Sequence, residues 1–359
     1  MGNIHTTPYF FRPKPLFGLD IGKGSLKAVQ LSLDDSAVKP TLVGYGTAGF
    51  DPAAIQDGVV VKPELIAEAA QTLFGKGLVG SITSRRAALT IPSYRTFARS
   101  IQLPALKPHE LADAVRLEAE QYIPLSLDDL YLDYTVLSQS KTGTEILAVA
   151  VPRTIVDSYV DLGAIMGIEV VLIESTMNAI GRLFSRDHQS DVASVIIDFG
   201  SLSADISIYD RGVVTTGTVD SGGQLFNEAI EKGLKVSSAE ANIIKTKYGL
   251  GRSRRQAEIQ AALDPILQKI TKEIKRLVRY HDEHYGSERP IQQVVMLGGG
   301  ANVPGLSDYF TSNLRLAVRS LDPWQSIELN GLQPPGLHDR PMFAGVIGLG
   351  LAPPTGVFK

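Results

Sequence analysis

Short apolar runs punctuated by Gly, Pro, Asp and Ser dominate the first fifty or so positions, and their spacing favours strands. PLFGLD, SLKAVQLSL and KPTLVGYGTAGF read as three strands, the first two joined by a Gly-containing turn. Alternation in the second is imperfect, with Leu26, Ala28, Gln30 and Ser32 set against Lys27, Val29, Leu31 and Leu33. That pattern suits a sheet buried on one face and partly on the other. The period then lengthens: PELIAEAAQTLFG opens with Pro63, a residue suited to a helix start, and RAALTIPS predicts a further strand. The same succession returns past the middle of the chain. VASVIIDFG, SADISIYDRG and VVTTGTVDSGG predict an antiparallel meander, GQLFNEAIEKGL a helix with Gln224 near its start, and IQQVVMLGGG a strand. Two matching units predict a duplicated α/β fold of two lobes, with a ligand where the two turns face each other.

Two stretches have no counterpart in the repeat. Residues 96–165 hold the strands FARSIQLP, LYLDYTVL and TEILAVAVP and two helical patterns. The first helix is framed by Pro108 and Pro124, with Leu111, Val115 and Tyr122 on one face; the second, RTIVDSYVDLGAIMG, ends at Gly167. This reads as a small α+β insertion in the first lobe. Residues 224–290 read as a mostly helical insertion in the second lobe, interrupted at YGLGRSRRQAE. The expected division assigns 16–95, 166–190 and 341–359 to the first lobe and 191–223 and 291–340 to the second.

Composition narrows the class of function. The 359 residues are 44% hydrophobic and 20% charged, enough for a core in each lobe. A net charge of −3 opposes nonspecific nucleic-acid binding, and the lack of cysteine excludes disulfides and thiolate metal sites. The N-terminal stretch has no apolar core of a signal peptide, although Gly2 and Thr6 fit a loose myristoylation pattern. AGVIGLGLAPP is too short for a membrane span, so a soluble, cytoplasmic chain is expected.

The chemistry concentrates in the repeated turn. GLDIGKGSLKAVQL, residues 18–31, and IIDFGSLSADISIY, residues 196–209, both carry D-x-G-x-x-S. Asp20, Gly22 and Ser25 correspond to Asp198, Gly200 and Ser203. Such a turn offers consecutive backbone N–H groups, and Gly22 and Gly24 permit close approach and positive φ. Ser25 adds a hydroxyl and Lys27 a positive charge, so the donors can wrap a phosphate. Asp20 and Asp198 would repel a bare phosphate but fit a hydrated Mg²⁺, which takes one or two carboxylates. Two turns then clamp one Mg-nucleotide. No G-x-x-x-x-G-K-[ST] occurs, and a strand instead of a helix follows GLDIGKG, which removes the P-loop and Rossmann readings.

These residues resemble the actin/Hsp70/FtsA superfamily. FGLDIGKGSLK is similar to its first phosphate motif, VIIDFGSLSADI to the second, and VVMLGGGANVPGL to its adenosine motif. IESTMNAIGRLF and MFAGVIGLGLA resemble the two crossing helices on which the lobes hinge. Within that superfamily AVRLEAEQYIPLSLDDLYLDY, residues 114–134, resembles the type IV pilus assembly protein PilM family, as do IKTKYG, EIKRL and DPW. The resemblance implies an actin-like, ribonuclease H-like duplicated fold with an FtsA-like inserted subdomain. It implies ATP and Mg²⁺ in the cleft, with hydrolysis slow or absent. The phosphates would meet Gly22, Lys23, Gly24, Ser25, Lys27, Gly200, Ser201 and Ser203, and the metal Asp20 and Asp198. The adenosine would meet Asn242, Lys245, Lys275, Arg276, Gly298, Gly299 and Gly300. Relatives often carry Glu where this chain has Asn242, and Ser where it has Leu277. The implied partner is a PilN-like inner-membrane protein, bound through its N-terminal cytoplasmic peptide. Membrane contact would then be indirect, and self-association is compatible with the superfamily.

Glu174 sits just before the first crossing helix, where bacterial MreB has a water-positioning carboxylate, and is the candidate general base. A helix-start carboxylate is the alternative reading. HDEH at 281–284 departs from H-E-x-x-H and reads as a solvated helix face, as does the stripe Lys269, Lys272, Lys275, Arg276 and Arg279. Two rival functions remain: a small-molecule phosphotransferase or phosphatase of the same superfamily, and an FtsA-like filament protein. The ending LAPPTGVFK, unlike an amphipathic membrane helix, argues against the filament.

Overall fold

The computed structural model describes residues 14–34, 37–286 and 289–353. Gly2, Thr6 and the ending from 354 onward lie outside the described residues. The strands β1 (Phe17–Ile21), β2 (Ser25–Ser32) and β3 (Thr41–Gly49) form the first meander, followed by the short hairpin β4 (Ile55–Gln56) and β5 (Val59–Val60). Next come α1 (Pro63–Lys76), β6 (Leu78–Gly80) and β7 (Arg86–Ile91). The insertion contributes β8 (Phe97–Pro104), α2 (Leu111–Tyr122), β9 (Leu130–Gln139) and β10 (Gly143–Pro152). The first unit closes with α3 (Arg153–Ile165), β11 (Glu169–Ser175) and α4 (Thr176–Phe184).

The second unit repeats the plan. Its meander is β12 (Ser194–Phe199), β13 (Ala204–Tyr209) and β14 (Val213–Val219), followed by α5 (Gly223–Leu234), α6 (Ser238–Lys247) and α7 (Gln256–Tyr285). Then come β15 (Gln293–Gly298), α8 (Leu306–Leu314), β16 (Ala317–Ser320) and α9 (Ala344–Gly350). The sheet orders match: β3-β2-β1-β7-β11 in one lobe and β14-β13-β12-β15-β16 in the other. In each, the first strand pairs antiparallel with the second and parallel with the fourth. The duplication read from the two turns therefore extends to the whole strand order.

Helices α4 and α9 lie between the sheets. Met177, Ile180, Phe184 and Ile347 pack with Val29 and Leu31 from one sheet and Ile196 and Val295 from the other. The crossing needs small residues, since a Cβ on Gly348 would sit 2.0 Å from the Ala179 carbonyl oxygen. Because β2 is also covered from the α1 side, its interior residues are buried on both faces. That is why its alternation is weak. Asp322 of DPW accepts from the Trp324 N–H at 3.0 Å and pairs with Arg340 at 3.0 Å. This fixes Trp324 edge-on to Tyr45, with ring centroids 4.8 Å apart, at the seam of the lobes.

Several expectations are corrected. Helix α3 does not belong to the insertion: Ile155, Tyr159 and Leu162 pack in the first-lobe core beside Ile66 and Leu73 of α1. The insertion proper is β8 to β10, with a core of Ile101, Leu103, Leu111, Val115, Ile146 and Ala148. Tyr122 is only half-buried on α2, and the Arg99 guanidinium lies 5.1 Å from its ring centre. The inserted strands are not confined to the first lobe either. They extend the second-lobe sheet as β14-β8-β10-β9, through the pair Thr215↔Arg99. The Tyr285 hydroxyl at the end of α7 reinforces this junction by donating to Glu145 and, at 3.2 Å, to Ser100. The insertion is thus tethered by chain to one lobe and by hydrogen bonds to the other.

The HDEH face is also not uniformly solvated. His281 is fully buried, 3.5 Å from Asp210, which pairs with Arg289. The charged stripe from Lys269 to Arg279 is exposed, as expected. Replacing Tyr285 with phenylalanine removes the hydroxyl that Glu145 accepts from. A loss of about 1 kcal/mol, read calorimetrically as a melting temperature lower by roughly 2–4 °C, is the expected outcome.

Candidate functional site

Both turns open on one cleft of about 690 Å³. Asp20, Gly22, Lys23, Gly24, Ser25 and Lys27 line it from the first lobe. Asp198, Gly200, Ser201, Ser203 and Asp205 face them from the second. Gly298, Gly299, Gly300 and Lys245 also line it. Among the described residues, the backbone N–H groups of Lys23, Gly24, Ser201, Leu202 and Ser203 have no protein acceptor. A ring of free donors between two lobes is what an oxyanion chain requires.

The glycines act through space more than through dihedral freedom. Gly22 and Gly24 do not adopt positive φ, contrary to expectation, and neither does Gly200. A Cβ on Gly24 would instead crowd Pro52 at 3.1 Å, and one on Gly200 would crowd the Ser203 carbonyl at 3.2 Å. Gly298 is different: its φ is 77°, and a Cβ there would lie 2.3 Å from an Asp198 carboxylate oxygen. The glycine-rich turn after β15 therefore abuts the acid of the second repeated turn.

The repeat also sets the electrostatics. Across the first hairpin Asp20 opposes Lys27, and across the second Asp198 opposes Asp205. Lys27 donates to Asp20 at 3.2 Å, and the Thr90 hydroxyl donates to its other oxygen at 2.6 Å. Asp20 is thus already held by protein groups. Asp198 has no such cation opposite it. Burial, then the charges of Asp205 and Asp20, push its carboxyl up to about 7, with Lys27 opposing. Asp205 is pushed up to about 6, chiefly by burial, against the pull of the Thr218 hydroxyl donating at 2.6 Å. Like charges facing each other across a hairpin are destabilising unless a proton or cation intervenes. This oxygen donor set fits Mg²⁺, with Asp198 and Asp205 better placed than Asp20 to hold it.

Sequence reasoning missed Asp205, although it stands seven residues after Asp198 as Lys27 does after Asp20. Thr90, Asn227 and Met342 were missed as well; each depends on long-range folding. Other expected groups are not gathered here. Asn242, Lys275 and Arg276 are exposed and lie outside the cleft lining, and Glu273 holds the Arg276 guanidinium at 2.8 Å. Lys245 does reach the lining. It donates to the Gly223 carbonyl at 3.0 Å, and burial lowers its pKa. Glu174 is outside the lining, engaged by both terminal nitrogens of Arg182 at 2.6 and 2.7 Å. Arg182 also donates to the Gly348 carbonyl at 2.9 Å, so Glu174 ties β11 and α4 to α9.

A pH dependence follows from the raised acids. The folded protein keeps protons on Asp198 and Asp205 that an unfolded chain releases in the ordinary carboxylate range. This stabilisation is full below that range and is lost as pH rises through 6 and 7. Without metal, the melting temperature is expected to fall between about pH 5 and pH 8; Mg²⁺, displacing those protons, should offset the fall. Thermal melts across that window, with and without Mg²⁺, check both signs.

Comparison with known proteins agrees with this arrangement. A solved PilM–PilN type IV pilus biogenesis complex matches with a TM-score of 0.80 at 22% identity, covering 97% of this chain and 100% of that one. Ethanolamine utilization protein EutJ from Carboxydothermus hydrogenoformans matches at 0.53 and 16% identity, covering 95% and 90% of the two chains. MreB5 of Spiroplasma citri bound to AMPPNP matches at 0.53 and 14%, covering 97% of each. These likenesses establish the actin-like fold. The family model described as type IV pilus assembly protein PilM matches residues 18–353. The chain belongs to the PilM family of type IV pilus assembly proteins.

Proposed function

We propose that this chain is a nucleotide-dependent adaptor on the cytoplasmic face of a type IV pilus machine. Mg-ATP bridges the two lobes, and the insertion together with the first lobe takes the N-terminal peptide of a PilN-like inner-membrane protein. The observation that carries the reading is the pair of matched acidic turns opening on one cleft. Family membership and the likeness to a PilM–PilN complex support the partner, and the MreB5 neighbour bound to AMPPNP supports the nucleotide.

In this reading ATP phosphates sit on the turn N–H groups, Lys23 and Lys27, with Mg²⁺ held by Asp198 and Asp205. Bound Mg²⁺ would neutralise the phosphate tail and the facing carboxylates together. The adenosine end lies along Gly298, Gly299 and Gly300, near Lys245. Because the insertion is chained to one lobe and paired to the other, closing the cleft must alter its stance against the first lobe. Nucleotide and partner then bias one shared conformational equilibrium. The phosphotransferase alternative is weaker, since Glu174 is engaged by Arg182 outside the cleft.

The test is a calorimetric titration with the N-terminal cytoplasmic peptide of the PilN-like partner. An affinity at least about fivefold different between Mg-ATP-loaded and nucleotide-free protein is expected. Equal affinity in both states removes the coupling, and no binding in either removes the adaptor role.

A further inference from the structure

Three parallel strands of the first lobe, β1, β7 and β11, end side by side at the cleft. Each end hands it a lining residue: Asp20, Pro92 and Thr176. Resting on the reading of that cleft as a Mg-ATP site, we infer that the Thr176 hydroxyl holds the water that slowly cleaves the bound nucleotide.

The hydroxyl is fixed from two sides. Thr176 opens α4, half-buried, and its Oγ donates to the Ile91 carbonyl at 3.3 Å. Its methyl faces α9, where a Cβ on Gly345 would lie 3.2 Å from it. With its proton spent on Ile91, the oxygen offers lone pairs to a donor. Water is such a donor and an ionised phosphate oxygen is not, so Thr176 differs in kind from Lys23, Lys27 and the turn N–H groups. Its place fits as well. Thr90, one residue before Ile91, donates to Asp20 at 2.6 Å, so the rim runs from Asp20 through Thr90 and Ile91 to Thr176. Two strand spacings separate β1 from β11, about 10 Å, which leaves room for a terminal phosphate and one water.

The acids near the site are otherwise committed. Asp20 is held by Lys27 and Thr90, and Glu174 is bound by Arg182 outside the cleft. Asp198 and Asp205 face the cation in this reading. In the cleavage step the water oxygen bonds to the terminal phosphorus. The bond from that phosphorus to the bridging oxygen breaks, with its electron pair leaving on ADP. The proton of the water passes to an oxygen of the released phosphate, since a neutral hydroxyl orients the water but does not take its proton. A step without a general base forgoes roughly 10²- to 10⁴-fold in rate. Slow turnover suits a nucleotide whose task is to bridge two lobes.

The experiment has two readouts on the full chain. One is single-turnover cleavage of Mg-ATP with protein in excess. The other is calorimetric binding of Mg-ADP with aluminium fluoride, which mimics the transferring phosphoryl group together with its in-line water. Thr176→Ala is expected to slow cleavage about tenfold and to weaken the aluminium fluoride complex about tenfold. Its affinity for Mg-AMPPNP should stay at the parent's value, which also certifies the fold. Thr176→Ser, which keeps the hydroxyl, should restore most of both losses. The inference alone is overturned by a parent that leaves Mg-ATP intact, by Thr176→Ala matching the parent, or by Thr176→Ser matching Thr176→Ala. Equal weakening of Mg-AMPPNP and the aluminium fluoride complex makes Thr176 an ordinary contact and overturns it too. Loss of cleavage in Glu174→Gln with Thr176→Ala unaffected assigns the water to Glu174 instead. Failure of the parent to bind Mg-AMPPNP overturns the cleft reading and this inference with it.

Discussion

Asp198→Asn is expected to weaken Mg-ATP binding about 100-fold and, in the same protein without metal, to raise the melting temperature at pH 8. The loss arises because a carboxylate facing the bound cation is replaced by a neutral amide. Two charge-assisted contacts at roughly 1.5 kcal/mol each correspond to about two decades in Kd. The gain arises because Asp198 is a desolvated acid facing Asp205, with its carboxyl pushed up to about 7. Removing one of two like charges that face each other across a hairpin stabilises the fold. The opposite signs are the diagnostic feature, since a merely structural residue would lose both quantities together. Asp20→Asn provides the contrast: it breaks bonds to Lys27 and Thr90, so affinity and stability should fall together. Calorimetric titration and thermal melts of the two variants check this. Unchanged affinity in both would remove the clamp.

Gly348→Ala is the second large effect, and it acts on stability alone. The added methyl would meet the Ala179 carbonyl oxygen at 2.0 Å and its carbon at 2.5 Å, both backbone atoms of the crossing helix. A rigid backbone cannot swing aside, so α4 and α9 must separate. That opens the layer containing Met177, Ile180 and Ile347 on which both lobes rest. A cost of about 3 kcal/mol or more is expected, a melting temperature lower by roughly 10 °C. Gly75→Ala, on helix α1 with open space around its Cβ, should be neutral or slightly stabilising in the same assay.

The duplicated turns were legible because local chemistry dictates them: a tight hairpin between apolar strands needs small residues, and two copies at matched places reveal the fold. The strand order followed. What could not be read was where unlike pieces meet. The insertion joins the second-lobe sheet through Thr215↔Arg99, a pairing with no local pattern. Helix α3 shows an apolar face that would serve either core, and only folding puts Tyr159 beside α1. His281 shares its letters with an exposed charged run, yet α7 turns it into the interior against Asp210. Asp205 was the avoidable omission, since the register opposing Asp20 to Lys27 also opposes Asp198 to Asp205.

The central claim is that one metal-loaded nucleotide is held by both turns at once. Crystals grown with Mn²⁺ and a non-hydrolysable ATP analogue test it through the anomalous signal of the metal. The account predicts a single Mn²⁺ peak beside Asp198 and Asp205, bridging to phosphate oxygens that also accept from Lys23 and Gly24 of the facing lobe. A nucleotide resting on one lobe only, or a metal peak away from both carboxylates, would contradict it.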